Sequence, residues 1–178
     1  MEITNVQRAL LLKAFTAQAI LFTAFSLGIA WWRGWVEDLG LNFGGYRSLL
    51  AGLAAGAMMG ATSVACDRFG LKSRTTEEIS LALGPGDILF VNLALIAPSE
   101  EILFRGLLVP RIGLIPSSIA FGLAHVIGYR AWGEVVVATS FGLLLGWLFL
   151  HTGSLFGPWL AHALANIISM NYIRRRKS

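Results

Sequence analysis

Polar residues that could do chemistry interrupt the apolar runs in the second half of the sequence. In chain order they are Glu100, Glu101, Arg105, His125, His162 and Asn166. The first three lie inside VNLALIAPSEEILFRGLLVP, a run that is otherwise suited to lipid. Ionisable residues inside a membrane are costly, so those that occur usually face the interior of a helix bundle and are functional. These six residues are therefore the candidate site.

The residue types suit the hydrolysis of an amide bond. A carboxylate near a second one and away from bulk water can act as a general base towards a water molecule. A nearby histidine can share or relay the proton, and another histidine with an asparagine can donate hydrogen bonds to the oxyanion that forms. Glu100, His125 and His162 could equally be zinc ligands, because two His and one Glu are a known catalytic set. The sequence lacks the H-E-x-x-H helix, however.

Spacing along the chain gives the two glutamates different surroundings. Glu101 and Arg105 are at positions i and i+4, with Glu first, which is the favourable order for an ion pair on one helix face. Glu100 points about 100° away from Glu101, so it can face a different target. His162 and Asn166 are also four residues apart and can reach one point. The spacing therefore predicts one paired carboxylate and one that is available for chemistry.

The hinges between the apolar runs place the polar residues at one depth. Glu101 lies nine residues before Pro110, and His125 lies nine residues after Pro116. At about 1.5 Å per residue, both are roughly 13 Å from the same end of the bundle. His162 lies at a similar distance into a run that starts at that end. By the charge distribution described below, this end is the external one.

Pro98 comes just before the two glutamates. A proline in mid-helix lacks the amide hydrogen and introduces a kink, and the residues PSEE also have the composition of a helix start. We therefore expect a kink here, and the span could be broken at this point. A break deep in the membrane is tolerated only where protein or water covers it.

The composition is that of a membrane protein. Of the 178 residues, 56% are hydrophobic and 13% are charged, whereas a soluble domain has about 25% charged residues. Six runs are candidate spans: Ala9–Trp32, Ser48–Cys66, Ile88–Val109, Leu114–Tyr129, Glu134–Leu150 and Ser154–Tyr172. We expect an all-α, polytopic membrane helix bundle of about six transmembrane helices, formed by residues 1–178 as a single membrane-embedded domain.

Two further segments carry structural patterns. Gly52, Gly56 and Gly60 are spaced Gly-x-x-x-Gly-x-x-x-Gly, which lets another helix approach closely. Residues 67–87 are polar and end near a Gly-Pro-Gly turn. Their middle, TTEEISLAL, is compatible with a short amphipathic helix on the membrane surface or with a solvated loop.

Lysine and arginine are distributed unevenly between the two sides of the bundle. If the N-terminus is cytoplasmic, ten of them fall on that side and three on the other. The excess of positive charge in cytoplasmic loops predicts a multi-pass integral membrane protein with both termini in the cytoplasm. Topology is sufficient to explain the basic tail RRRK, so we expect the lipid bilayer as a partner and no nucleic acid.

The polar residues resemble the motifs of a known family. Glu100-Glu101-x-x-x-Arg105-Gly106, Phe121-x-x-x-His125 and His162-x-x-x-Asn166 are similar to the three motifs of the CPBP family. This family comprises the type II CAAX prenyl endopeptidases and the bacteriocin-processing proteins, also called Abi. The resemblance covers about residues 88–172, roughly half of the chain.

The resemblance implies an intramembrane glutamic-type endopeptidase that acts on a peptide or membrane-protein substrate and requires no cofactor. In the family pattern Glu100 would activate water with the assistance of His125, and His162 and Asn166 would form the oxyanion hole. Glu101 and Arg105 would brace the site, and Phe121 would pack beside it. A zinc ion held by Glu100, His125 and His162 is the alternative.

Two other functions fit the same residues. One is a membrane assembly or interaction factor of the same fold, bound to a larger membrane complex, in which the site is idle or secondary. The other is a small transporter or proton relay that uses the carboxylates and histidines. Internal symmetry between the two halves would favour a transporter, and the sequence has none that we can identify.

Overall fold

The computed structural model describes residues 5–70, 74–129 and 132–177, and these residues are mostly helical. Seven helices follow one another: α1 Asn5–Arg33, α2 Gly45–Arg68, α3 Arg74–Ala82, α4 Pro85–Ile112, α5 Leu114–Tyr129, α6 Trp132–Thr152 and α7 Phe156–Lys177. A short 3₁₀ turn, Glu37–Leu39, lies between α1 and α2. Because these residues contain no strand, the predicted all-α membrane helix bundle is confirmed.

The described helices include fewer candidate membrane spans than the six that the sequence predicts. Three of the described helices, α1, α2 and α6, are long and apolar enough to cross a membrane. The pair α3 and α4 also passes that test as a unit, but its two helices meet at an angle of 114°. α5 is apolar but short for a span, and α7 ends in four basic residues. The described helices thus support three or four spans, and six remains a prediction.

The segment before α4 is a helix rather than a loop. Of the two alternatives for TTEEISLAL, the structure has the helix, α3. Arg174 near the end of α7 donates hydrogen bonds from Nη1 to the carbonyls of Leu81, at 3.3 Å, and Leu83, at 2.8 Å. α4 then begins at Pro85, because proline suits the first turn of a helix, where its missing N–H leaves no bond unmade. α3 therefore lies across the end of the bundle where α7 ends.

α4 continues past Pro98, so the span is not broken at this point, although the sequence allowed a break there. The segments Val91–Ile96 and Ile102–Leu108 have π-helical hydrogen bonding, and an α-helical turn separates them. In the π pattern an amide at position 98 would donate to the carbonyl of Leu93. Proline has no amide hydrogen, and Nε1–H of Trp159 donates to that carbonyl instead, at 3.0 Å. A neighbouring helix thus satisfies the carbonyl that the proline leaves free.

The glycine stripe of α2 packs directly against α7. A Cβ atom on Gly52 would lie 2.7 Å from the carbonyl oxygen of Gly157, and one on Gly56 would lie 3.0 Å from the Cα of Ala161. The backbones of the two helices therefore touch, as the small-residue spacing predicts. Because Ala161 precedes His162, this contact also fixes the position of a candidate site residue.

A leucine at Gly56 is expected to force α2 and α7 apart. The Cβ atom alone would already meet backbone, which cannot move aside like a side chain, and overpacking costs about 1–3 kcal/mol or more. The apparent melting temperature in detergent should fall by several degrees. Gly28→Leu in α1 is the matched control, because a Cβ there meets nothing within 4 Å. Equal effects of the two substitutions would contradict the close packing.

At the other end of the bundle the connecting loops interlock. Arg111, at the end of α4, donates to Asp38 at 2.7 Å and lies over the ring of Trp35, 4.0 Å from its centroid. Ser154, just before α7, donates from its hydroxyl to the carbonyl of Asn42 at 2.6 Å. The loop before α2 is therefore fastened both to the end of α4 and to the loop before α7.

Candidate active site

A cavity of ~150 Å³ lies in the middle of the bundle, and four of the six candidate residues line it. They are Glu100, His125, His162 and Asn166. Phe121 also contributes to the wall. Three different helices, α4, α5 and α7, position these side chains, as the common depth predicted. The structure thus brings the Glu100 carboxylate, both imidazoles and the Asn166 amide to one cavity.

The cavity extends from these residues towards the end of the bundle that α3 covers. Its wall includes Thr76, Ile79 and Ser80 of α3, together with Cys66 near the end of α2 and Glu134 near the start of α6. None of the interlocked loop residues at the opposite end contributes to the described wall. The cavity therefore leads towards the end of the bundle at which α1 begins and α7 ends, although the polar level was predicted nearer the other end.

Glu101 and Arg105 lie behind the cavity wall rather than in it. Their side chains are 0% and 1% exposed. Nη1 of Arg105 donates to Oε1 of Glu101 at 3.0 Å, and Nδ1 of His162 donates to the same oxygen at 2.7 Å. The guanidinium also packs over the ring of Phe121, with Cζ 4.2 Å from its centroid. A buried charge needs such partners, and this arrangement holds His162 in place.

Glu100 faces the cavity, and its two oxygens have different surroundings. Oε1 accepts a hydrogen bond from Nε2 of Gln18 on α1 at 2.8 Å. Oε2 has no hydrogen-bond partner within the described part of the chain. It lies 3.9 Å from Nε2 of His162, which is too long for a direct hydrogen bond. This oxygen therefore keeps its lone pairs for a water molecule or a substrate.

Hydrogen bonds at Nδ1 assign the protons of the two histidines. Nδ1–H of His125 donates to the carbonyl of Phe121 at 2.8 Å. Because a carbonyl can only accept, the lone pair of the neutral ring is on Nε2. Nδ1 of His162 faces the carboxylate of Glu101 and therefore also carries a proton. The ring of Phe121 packs edge-on against both, with centroids 4.8 Å and 5.8 Å away.

Three residues of the cavity wall that carry an amide or a carboxyl group were not identified from the sequence. They are Gln18 on α1, Asn92 on α4 and Glu134 on α6. Glu134 is buried and accepts a hydrogen bond from the hydroxyl of Thr76 at 2.7 Å. Gln18 and Asn92 interrupt apolar runs as Glu100 does, so the cost of burying them was an available signal. Glu134 follows a hinge and resembles an ordinary acidic residue at a helix start.

The described geometry gives no support to a zinc site. No group of three or more His, Cys, Asp or Glu side chains among these residues is placed to hold a metal ion. The placement of Glu100, His125 and His162 within the described residues therefore supplies no observation in favour of the zinc alternative.

Comparisons with known proteins bear on the segment that carries the motifs. Residues 86–168 match the family model of the type II CAAX prenyl endopeptidase Rce1-like proteins. The uncharacterized protein YpbD of Bacillus subtilis (strain 168) is 38% identical over 87 residues, which are 49% of this chain and 46% of YpbD. The match thus spans about half the length of that relative. No solved structure matches the chain significantly. The segment with the three motifs is therefore similar to the type II CAAX prenyl endopeptidase Rce1-like proteins, and its predicted resemblance to the CPBP family is confirmed.

Proposed function

We propose that this protein is an intramembrane endopeptidase in which Glu100 activates the water that cuts a peptide bond. The observation that carries the proposal is that Glu100 lines the cavity while its Oε2 is buried without a hydrogen-bond partner within the described chain. A general base must lie within hydrogen-bond reach of the proton it removes. A water molecule in the cavity against Oε2 would meet that condition.

The surrounding groups supply the other steps of hydrolysis. As the water oxygen attacks the carbonyl carbon, Glu100 takes the proton, and His125 helps to pass it to the leaving nitrogen. His162 and Asn166 donate hydrogen bonds to the oxyanion. Since Nδ1–H of His162 already donates to Glu101, His162 must be protonated on both nitrogens to donate from Nε2. The buried carboxylate of Glu101 stabilises that imidazolium.

Access to this site follows the cavity. The end that α3 covers is also the end that the Lys and Arg distribution predicts to be cytoplasmic. Under the proposal, the substrate therefore reaches Glu100 from the cytoplasmic side, although the residue lies deep in the bundle. The substrate is a peptide or a segment of a membrane protein, and α3 has to move aside before a peptide chain can enter.

The size of the cavity favours a second candidate, an assembly factor of the same fold bound to a larger membrane complex. Pockets that bind small molecules are commonly about 300–1,000 Å³, whereas this cavity has ~150 Å³. A site that never opens would leave every motif residue in place and perform no turnover. The two candidates differ in whether peptide bonds are cut in the presence of the protein.

Peptide termini in the membrane proteome distinguish the two candidates without a guess about the substrate. Cells should carry the wild type, Glu100→Gln or Glu78→Gln at equal protein levels. Glu78 is the matched control, because its side chain is 56% exposed on α3. We expect specific termini with the wild type and with Glu78→Gln that are absent with Glu100→Gln. Identical termini in all three, with Glu100→Gln replacing the wild type in growth, would favour the assembly factor.

A further inference from the structure

The part of the cavity between Glu100 and α3 is lined by polar residues that have no role in the proposed hydrolysis. Asn92 on α4 is fully buried and donates from Nδ2 to the carbonyl of Ile88 at 2.8 Å, with Sδ of Met170 at 3.4 Å. Its Oδ1 has no hydrogen-bond partner within the described residues, and the same holds for the hydroxyl of Ser169 on α7. Both residues line the cavity.

Leaving these two atoms unpaired is costly. A buried acceptor or donor without a partner costs about 1–3 kcal/mol. Asn92 cannot turn to find another partner without giving up the contacts of Nδ2 with Ile88 and Met170. The contacts of Nδ2 thus fix the side chain with its Oδ1 atom unpaired. Such a fixed, unpaired acceptor on a residue that lines the cavity is suited to an N–H group of a ligand that widens the cavity as it enters.

The π-helical segment of α4 aligns Asn92 with the proposed base. Asn92, Ile96 and Glu100 all line the cavity. In a uniform α-helix, residues eight apart differ by about 80° in direction, because each residue advances ~100°. The wider π turn at Val91–Ile96 advances less per residue and reduces this difference. The unusual helix therefore places an amide and a carboxylate along one wall.

We propose that Asn92 and Ser169 form a subsite that binds the peptide backbone of the substrate three to four residues from the bond that is cut. Oδ1 of Asn92 accepts a substrate N–H, and the hydroxyl of Ser169 bonds to a neighbouring backbone group. Eight helical residues rise about 12 Å, and an extended chain covers that distance in roughly three to four residues. The inference rests on the proposed function, since the register is counted from Glu100.

If the subsite recognises the peptide backbone, binding should depend on the length of the substrate and not on its sequence. A chain that reaches from Glu100 to Asn92 gains the contact whatever its side chains are. A tripeptide cut at Glu100 is too short to reach Asn92. Asn92 and Ser169 are therefore positioning residues for longer substrates and have no part in the chemical step.

Binding is measured first, in the purified Glu100→Gln protein in detergent, which keeps the cavity but lacks the proposed base. The probe is a fluorescent pool of random decapeptides. Adding Asn92→Leu should raise the apparent Kd about 2–10-fold, the range for loss of one hydrogen bond. Asn171→Leu is the matched control, because Asn171 also donates to the carbonyl four residues earlier, at 2.9 Å from Ile167, but does not line the cavity.

Cleavage is then compared with the base intact. Asn92→Leu should raise KM for the decapeptide pool with kcat unchanged, and should leave cleavage of a tripeptide pool unaffected. A merely structural role of Asn92 would lower activity on both pools alike. That result would overturn the subsite.

The binding and cleavage experiments together distinguish an incorrect subsite from an incorrect proposed function. Equal decapeptide binding by Asn92→Leu and Asn171→Leu, or no binding by Glu100→Gln, overturns the subsite whether or not the wild type cleaves. Binding that depends on Asn92 without any cleavage by the wild type refutes the protease and leaves a peptide-binding subsite. If Asn92→Leu does not fold, Ser169→Ala decides, and an unchanged decapeptide Kd then overturns the proposal.

Discussion

Glu100→Gln in the purified protein is expected to lower kcat for peptide hydrolysis by about 10²–10⁴-fold, with little change in KM. The amide has the shape of the carboxylate, and its oxygen can still accept the hydrogen bond from Gln18 that Oε1 accepts at 2.8 Å. It cannot take a proton from water, however. Initial rates on the random decapeptide pool, followed by the appearance of new amino groups, measure the effect.

The neighbour of Glu100 provides the graded control. Gln18→Leu removes the hydrogen bond to Oε1 but keeps the base, so its rate should fall by about tenfold or less. We expect the rate to be highest for the wild type, lower for Gln18→Leu and lowest for Glu100→Gln. Comparable rates for the wild type and Glu100→Gln would remove Glu100 from the mechanism.

Arg105→Met is expected to destabilise the protein by about 3–5 kcal/mol, the usual cost of removing one partner from a buried ion pair. Glu101 is 0% exposed, so the substitution leaves its carboxylate without the guanidinium and far from bulk water. The ring of Phe121 also loses the cation that lies 4.2 Å from its centroid. Unfolding by denaturant in mixed micelles measures the loss.

A double substitution separates the charge from the packing. Replacing both partners with apolar residues, Glu101→Leu with Arg105→Met, should recover a large part of the stability, because no buried charge is then left unpaired. Activity should not return, since His162 has lost the carboxylate that holds its Nδ1. Arg74→Met is the exposed control and should change little. A loss for Arg105→Met no larger than that for Arg74→Met would contradict the buried pair.

The sequence was sufficient to find the ionisable residues of the candidate site, because one large physical cost acts on all of them. Burying an ionisable group in lipid is expensive, so Glu100, His125 and His162 stand out from apolar runs. Their common depth follows from the fixed rise of a helix. The same spacing predicted the pair of Glu101 with Arg105, which the structure places at 3.0 Å.

The course of α4 could not be predicted in the same way. The sequence allowed a break at Pro98, because a proline in mid-helix frees a carbonyl and the sequence does not identify the group that satisfies it. The donor is Trp159, 66 residues away from Leu93 on another helix, so the outcome depends on tertiary packing. An argument from helical periodicity also assumes the same rotation per residue along the whole helix. It therefore could not predict the alignment of Asn92 with Glu100. Glu134 was overlooked because its burial depends on α3, which the sequence left as helix or loop.

The length of α1 links the proposed base to the thickness of the membrane. The helix has 29 residues and is about 43 Å long, whereas the hydrocarbon core of a bilayer is about 30 Å thick. A helix longer than the core tilts, and it tilts further as the bilayer becomes thinner. Gln18 lies on α1 and donates to Oε1 of Glu100 at 2.8 Å, so a tilt of α1 that the other helices do not follow would lengthen this hydrogen bond. We therefore expect the acyl-chain length of the surrounding lipid to affect the orientation of the proposed base.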